Sequence, residues 1–309
     1  MEASPKKENT HIKIENILLK IKSKYILQEI FDNILKYKLF IIIKCSKVIQ
    51  KKVDIDIKDY KKCSELYSSI EIEVKPLFTN DIFLDKKKRV DKHVHFINIK
   101  KGEEKYYHIY FDDNMNQEIK RNYLRKNDKV RTIKIKVDYQ IKSFNKLFYN
   151  CKYIEYIDFK KFYRIDIIDV SGMFYGCSFL KQINFNNFNT ENVTDMSIMF
   201  AGCSSLLELN LSKFNTKKVT SMYGMFSRCS SLTKLDINNL NANKVTKMCF
   251  MFFECYSLKT LYFDKFIPNE GTDVFYMFSG CYQLDGTFDF IFKGDIKKIA
   301  YYFKRIINN

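Results

Sequence analysis

The sequence lacks the motifs that usually announce an enzyme: it has no Gly-rich phosphate loop, no G-x-S-x-G and no H-E-x-x-H. Its nine Cys include no C-x-x-C pair, which removes the common zinc and redox arrangements. Long apolar runs are missing as well, since the longest, Leu39 to Ile43, is far short of a bilayer span. The opening residues MEASPKKENTHIKIEN contain no apolar h-region of a secretory signal. These absences predict a soluble intracellular protein, cytoplasmic rather than displayed on the cell surface. His93 and His95 share one face of a strand and could meet His108, which is the one conceivable three-His metal set. Strand His residues are more often packed or solvated than liganded, so neither a metal nor a cofactor is expected.

Charge of one sign is scarce relative to the other: 53 Lys plus Arg stand against 36 Asp plus Glu, a net of +17. Residues 1–150 hold 34 basic and 21 acidic side chains and residues 151–309 hold 19 and 15, so the excess sits mainly in the first half. Clustered cations could serve nucleic acid. The cations are mostly Lys interleaved with acids, and no nucleic-acid motif accompanies them, which argues against that partner.

What the chain does have is a repeat. Cys151, Cys177, Cys203, Cys229, Cys255 and Cys281 stand 26 residues apart, five of them preceded by M-F-x-x and the first by L-F-x-x. Equal steps without insertions mean that each repeat packs on its neighbour in the same way. Apolar columns follow each Cys by three, six and eight residues, as in Ile154, Ile157 and Phe159 or Leu206, Leu209 and Leu211. The alternation of the last two has the period of a strand with one buried face, so each L-x-x-L-x-L segment is expected to be a short strand. The segment V-T-x-M-x-x-M-F, as in Val193, Met196, Met199 and Phe200, has spacing that suits one or two turns of helix.

The combination C-S-S-L-x-x-L-x-L with F-N-T-x-x-V-T-x-M-x-x-M-F-x-x-C, running from about Ile141 to Phe292, resembles the BspA-like leucine-rich repeats, the DUF285 family. The resemblance implies a right-handed solenoid used for adhesion or for binding other proteins, with no catalytic residues to carry over. Several bacterial members of that family are cell-surface proteins, a habit from which this chain departs because its start has no visible signal.

The Cys column reads most simply as free buried thiols acting as small hydrophobes, although stacked coils would also bring equivalent positions within disulfide reach. If residues six and eight after each Cys point inward, their neighbours point out. That assigns an exposed strand face to Tyr156, Gln182, Glu208 and Lys234 in one row and to Asp158, Asn184, Asn210, Asp236 and Tyr262 in the next. A protein partner is expected there, with Tyr156 and Tyr262 as anchors by residue type.

The rest of the chain divides around the repeats. Residues 1–12 read as a disordered tail and residues 13–66 as a helical segment, with Ile26, Ile30, Ile34 and Leu35 on one face. Within it, ILQEIFDNILKYKLFIIIKCSKVIQKKV resembles an F-box, the helical module that docks a substrate receptor onto a ubiquitin ligase, with Lys24-Tyr25 where that family has Leu-Pro. Residues 67–140 carry strand signals in IEIEVKPLF, HVHFINI, YYHIYF and VRTIKIKVDY, the middle two forming a hairpin, with NQEIKRNYLRK as a short helix. The last strand is expected to cap the repeat stack, and the amphipathic tail at 293–309 to form a capping helix at the other end. The predicted architecture is thus an α/β repeat, a leucine-rich-repeat-type solenoid over 141–292, preceded by a small helical segment and an α+β module. The predicted function is a non-enzymatic scaffold for protein–protein interaction. A ubiquitin-ligase substrate receptor and an exported adhesin are the alternatives.

Overall fold

A computed structural model describes residues 68–77, 93–263, 266, 268–269 and 271–284. The chain forms two compact units, Met1–Ser68 and Ser69–Asn309. The expected disordered tail, helical segment with its F-box resemblance, and C-terminal capping helix all lie outside the described residues.

Nine strands form three sheets among the described residues. β1 (Ile70–Pro76), β3 (Tyr107–Phe111), β5 (Ile133–Val137), β6 (Ile154–Lys161) and β7 (Gln182–Asn184) make a sheet in the order β3-β5-β1-β6-β7. β2 (Val94–His95) pairs with β4 (Tyr123–Leu124), and β8 (Lys234–Asp236) pairs with β9 (Thr260–Tyr262). β1 and β5 alternate strictly, and their antiparallel register sets Ile72 against Ile135 on the buried face while Glu71 faces Lys136 and Glu73 faces Lys134 on the other. Matched apolar and opposite-charge cross-strand pairs fix that register, because a slip of one residue would expose every Ile and Val.

Several expectations for this module are corrected. The strand that meets the repeats is β1, whose other edge pairs antiparallel with β6, setting Val74 against Ile157 and Ile72 against Phe159. β5 lies one strand further in. The expected hairpin between HVHFINI and YYHIYF does not form. After Phe96 the chain turns toward the first repeat, where Asn98 donates its backbone N–H to Leu147 O (2.7 Å) and its side-chain amide to Tyr149 O (2.6 Å). The stretch expected as a helix, NQEIKRNYLRK, is extended and turned instead. Ile119 N–H bonds back to Ile109 O at 2.7 Å, and Arg121 holds Asp128 through two bonds of 2.7 and 2.9 Å.

The larger correction concerns the fold class. Among the described residues there is no α-helix, only a three-residue 3-10 turn at Glu104–Tyr106, and the predicted α/β leucine-rich-repeat solenoid of strand plus helical turn is not what they form. The V-T-x-M-x-x-M-F segments are runs of tight turns. Every repeat has a left-handed residue one before and five before its Cys, as at Gly172 and Gly176 (φ +58° and +70°) or Ile198 and Gly202 (φ +48° and +76°). A right-handed helix cannot pass through two such residues four apart. Hydrogen bonding follows the same logic. In one turn run Met199, Ala201 and Cys203 bond back three residues, while Met196, Ile198, Phe200 and Gly202 donate to residues 25 positions ahead in the next repeat. The turn runs therefore stack as a parallel ladder, and this ladder rather than a helix buries Val193, Met196, Met199 and Phe200 completely.

Other constant residues of the repeat serve the same stacking. Buried Thr190 donates its hydroxyl to Asn215 O (3.0 Å) and accepts from Asn215 N–H (2.7 Å); Thr216 repeats the exchange with Asn241 at 2.9 and 2.5 Å. This accounts for the N-T pair of the motif. The core between the walls is a ladder of phenylalanines: Phe148, Phe174, Phe200, Phe226, Phe252 and Phe278 stack with centroids 5.3–5.7 Å apart. Arg164, fully buried, ties the repeats to the preceding module by donating to Asp138 O at 2.9 Å, to Ile141 O, and to Asp166 Oδ1 at 2.9 Å.

Candidate binding groove

The residues expected to form one continuous strand face are divided by the structure. β6 and β7 set Tyr156 beside Gln182 and Asp158 beside Asn184, and β8 and β9 set Lys234 beside Thr260 and Asp236 beside Tyr262. Glu208 and Asn210, between these pairs, belong to no strand, so the expectation of a strand in every repeat fails at that copy. The polar column is also occupied locally. Asn184, Asn210 and Asp236 each accept, through Oδ1, the N–H two residues ahead at 3.2, 3.0 and 2.9 Å. That is turn capping, which fixes these side chains against the backbone.

Asp158 is not exposed but 3 % accessible, because β1 covers β6 on the edge where the face was expected to be open. Its Oδ2 is held by Lys160 at 2.5 Å, and its Oδ1 has no hydrogen-bond partner. Tyr156 and Tyr262 are half-buried under Lys75 and Lys234, whose ammonium groups sit 5.2 and 5.1 Å from the ring centres. Burial first, and then the Asp158 carboxylate, push the Tyr156 phenol above its ordinary range.

Cys151, Cys177, Cys203, Cys229 and Cys255 are buried free thiols, and Cys281 is a half-buried one. Each from Cys177 onward donates its S–H to a carbonyl 29 residues earlier: Cys177 to Phe148 O at 3.1 Å, Cys203 to Phe174 O and Cys229 to Phe200 O at 3.2 Å. The same carbonyls accept the Cys N–H of their own repeat. A thiol suits the position because it is a weak donor that loses little on leaving water. Burial pushes the Cys229 thiol up to about 12, and raises Cys151, Cys177 and Cys203 as well. Such thiols are poor nucleophiles near neutral pH. The three His do not converge: His93 and His95 flank the Tyr123 ring, while His108 bridges Glu118 (3.0 Å) and Asp138 (3.2 Å). Among the described residues no group of three or more His, Cys, Asp and Glu could hold a metal ion.

A concave feature of the repeat region lies elsewhere, on the turn side. A groove of about 650 Å³ runs over the turn runs, floored by Gly176, Ala201, Gly202, Gly224 and Ser227. Its walls are aromatic. Tyr153 stacks on Phe179 (5.7 Å) toward one end, beside Tyr175, which stacks on Tyr149 just outside the groove (4.7 Å), and Phe250 meets Tyr223 (5.9 Å) and Phe253 (5.5 Å) toward the other. Phe179 and Tyr223 are 37 % and 42 % exposed, and Phe275, Tyr276, Tyr256 and Tyr282 extend the exposed aromatic surface beyond the second end. Small residues can floor the groove because the left-handed positions favour glycine, and because the turn runs approach closely there. A Cβ on Gly202 would lie 3.4 Å from the Gly176 backbone.

A family model described as "Mycoplasma protein of unknown function, DUF285" matches residues 142–264 and 210–305. The chain belongs to the DUF285 family. The matched span takes in the groove from Asn150 to Phe253. No curated protein and no solved structure matches the chain. Among the described residues, no helix of this DUF285 protein is long and apolar enough to cross a membrane. The constant columns of the repeat, which define its register, do not point to the groove. Part of its signal lies in the columns two before and two after each Cys, where the lining residues change from Tyr or Phe (Tyr153, Tyr175, Phe179) to Ala or Ser (Ala201, Ser227) within an otherwise uniform repeat.

Proposed function

We propose that this DUF285 protein is a non-enzymatic interaction protein that grips a protein partner in the aromatic groove on its turn side, not on the strand face. The observation that carries this reading is the gathering of half-exposed rings around a glycine, alanine and serine floor, a shape in which large rigid side chains contribute most to binding. Among the described residues Lys152 and Arg228 are the charged side chains lining the groove, and no carboxylate, His or Cys lines it to perform acid–base or nucleophilic chemistry. The free thiols of the repeats suit a reducing compartment, which favours work inside the cell.

The test is affinity capture from the source cells with the full chain, with Phe179→Ser/Tyr223→Ser and with Gln182→Ala/Lys234→Ala. Loss of partners with the groove pair and retention with the strand pair is the expected outcome. The reverse pattern would return the contact surface to the strands.

A further inference from the structure

The groove has a length, a charge and a consumed backbone, and together these describe its occupant; the inference rests on the groove being the contact surface. The floor amides are already bonded across repeats: Gly176 N–H to Ala201 O and Gly202 N–H to Ser227 O at 2.7 Å, and Gly224 N–H to Cys249 O at 2.9 Å. An added strand would find those donors spent, so the occupant must be held by its side chains rather than by sheet extension. Rings stand at both ends. The pair Tyr153–Phe179 and the cluster around Phe250 are three to four levels apart on a ladder that steps 5.3–5.7 Å. That separation, roughly 16–23 Å, equals about five to seven residues of extended chain. A single small ring system would fill one end and leave the other empty.

Charge adds the remaining constraint. Among the described residues Lys152 and Arg228 line the groove, and no Asp or Glu does. Glu254 accepts from Arg228 Nε at 2.8 Å, and the Arg228 side chain stays exposed. We infer that the groove binds an extended acidic segment of a partner protein, carrying two aromatic or long aliphatic anchors about five to seven residues apart with carboxylates beside them. The anchors fill the ring clusters near Phe179 and Phe250, and the carboxylates meet Lys152 and Arg228.

Three fluorescein-labelled peptides of about ten residues test this. One has two Phe separated by that spacing, each flanked by Glu, with Ser between; the second replaces Glu with Lys; the third replaces Phe with Ser. Binding to the full chain is read by fluorescence polarisation at physiological salt, alongside Phe179→Ser and Lys152→Glu/Arg228→Glu, whose folding is checked by thermal melts. The first peptide is expected to bind at least about tenfold tighter than the other two and to lose about tenfold with either variant, as one good anchor or a charge pair commands. Equal binding of the Lys peptide overturns the acidic assignment and leaves the aromatic groove standing. Equal binding of the Ser peptide overturns the anchor assignment. If no peptide binds while Phe179→Ser/Tyr223→Ser still loses the captured partners, the occupant is of another class and the groove reading survives. If those partners are also retained, both fall.

Discussion

The phenylalanine ladder allows the two contributions to repeat stacking, burial and ring–ring contact, to be separated by magnitude. Phe200 is completely buried and stacks on Phe174 (5.5 Å, 12°) and Phe226 (5.6 Å, 1°). Tyr175 stacks on Tyr149 more closely still (4.7 Å, 8°), but at the half-exposed groove wall. A stacked aromatic pair is worth about 0.5–1.5 kcal/mol beyond its buried area. Truncating a buried Phe costs about 3–5 kcal/mol through lost transfer energy and the cavity left behind. If burial dominates, Phe200→Ala should destabilise by about 3–5 kcal/mol and Tyr175→Ala by about 1 kcal/mol. Phe200→Leu, which keeps most of the volume but loses the ring, should fall near 1–2 kcal/mol. For a unit of this size the first change would lower the melting temperature by roughly 10 °C. Urea titrations followed by far-UV circular dichroism, with the m-value checked against the parent chain, give the three values. If Tyr175→Ala costs as much as Phe200→Ala, ring stacking outweighs burial and the reasoning about the ladder is wrong.

Arg164→Ala should cost about 3–5 kcal/mol in the same assay, because Asp166 and the carbonyls of Asp138 and Ile141 lose their shared donor while remaining covered. Arg164→Lys should fail to restore it, since an ammonium cannot reproduce the fork. Thr216→Val, nearly isosteric, should cost about 1–3 kcal/mol by leaving Asn241 N–H and C=O without their bonds, and a neutral result in urea would remove the buried Thr column from the account of stacking. Gly280→Ala should destabilise, because φ is +84° and the new Cβ would meet Glu254 Cα and N at 3.1 and 3.2 Å; an unchanged melting temperature would contradict the close approach of the turn runs. The buried thiols make the fold sensitive to alkali. Their folded pKa values lie above the ordinary 9.0, so their contribution is complete below that value and declines as the pH rises toward about 12, where the unfolded chain releases protons that the folded chain keeps. Urea midpoints should therefore drop between pH 8 and pH 10, and iodoacetamide followed by mass mapping should leave Cys177, Cys203 and Cys229 unmodified until unfolding.

The register of the repeat was legible in the sequence because one residue per 26 is a Cys and its neighbours never shift. The columns at Leu180, Leu206, Leu232 and Leu258 are all buried, as the spacing required. The backbone path was not legible, and the reason is physical. An apolar pattern of three, three and one satisfies a helix, yet it also satisfies a run of tight turns in which successive i to i+3 bonds place the same residues on one side. The two differ in φ, and glycine is the residue that reports it: Gly172, Gly176, Gly202, Gly224 and Gly280 all fall in the two left-handed columns. The report is blurred because Ile198, Arg228, Phe250 and Glu254 occupy the same columns with positive φ, held there by hydrogen bonds to the adjoining repeat. A β-branched Ile at φ +48° is costly alone and tolerable only in a stack that over-determines it. The strand face was legible in part: Gln182, Glu208, Asn210, Lys234 and Asp236 are exposed as the alternation required, while Asp158 is buried. Alternation says which side chains leave the sheet, but not whether another segment will cover them, and Ile70–Pro76, more than 75 residues upstream of β6, covers Asp158. What alternation cannot show, variation within a constant repeat can. The columns two before and two after each Cys carry rings at one level and Ala or Ser at the next, and with the left-handed columns, as at Gly176, Gly202, Gly224 and Phe250, they line the groove.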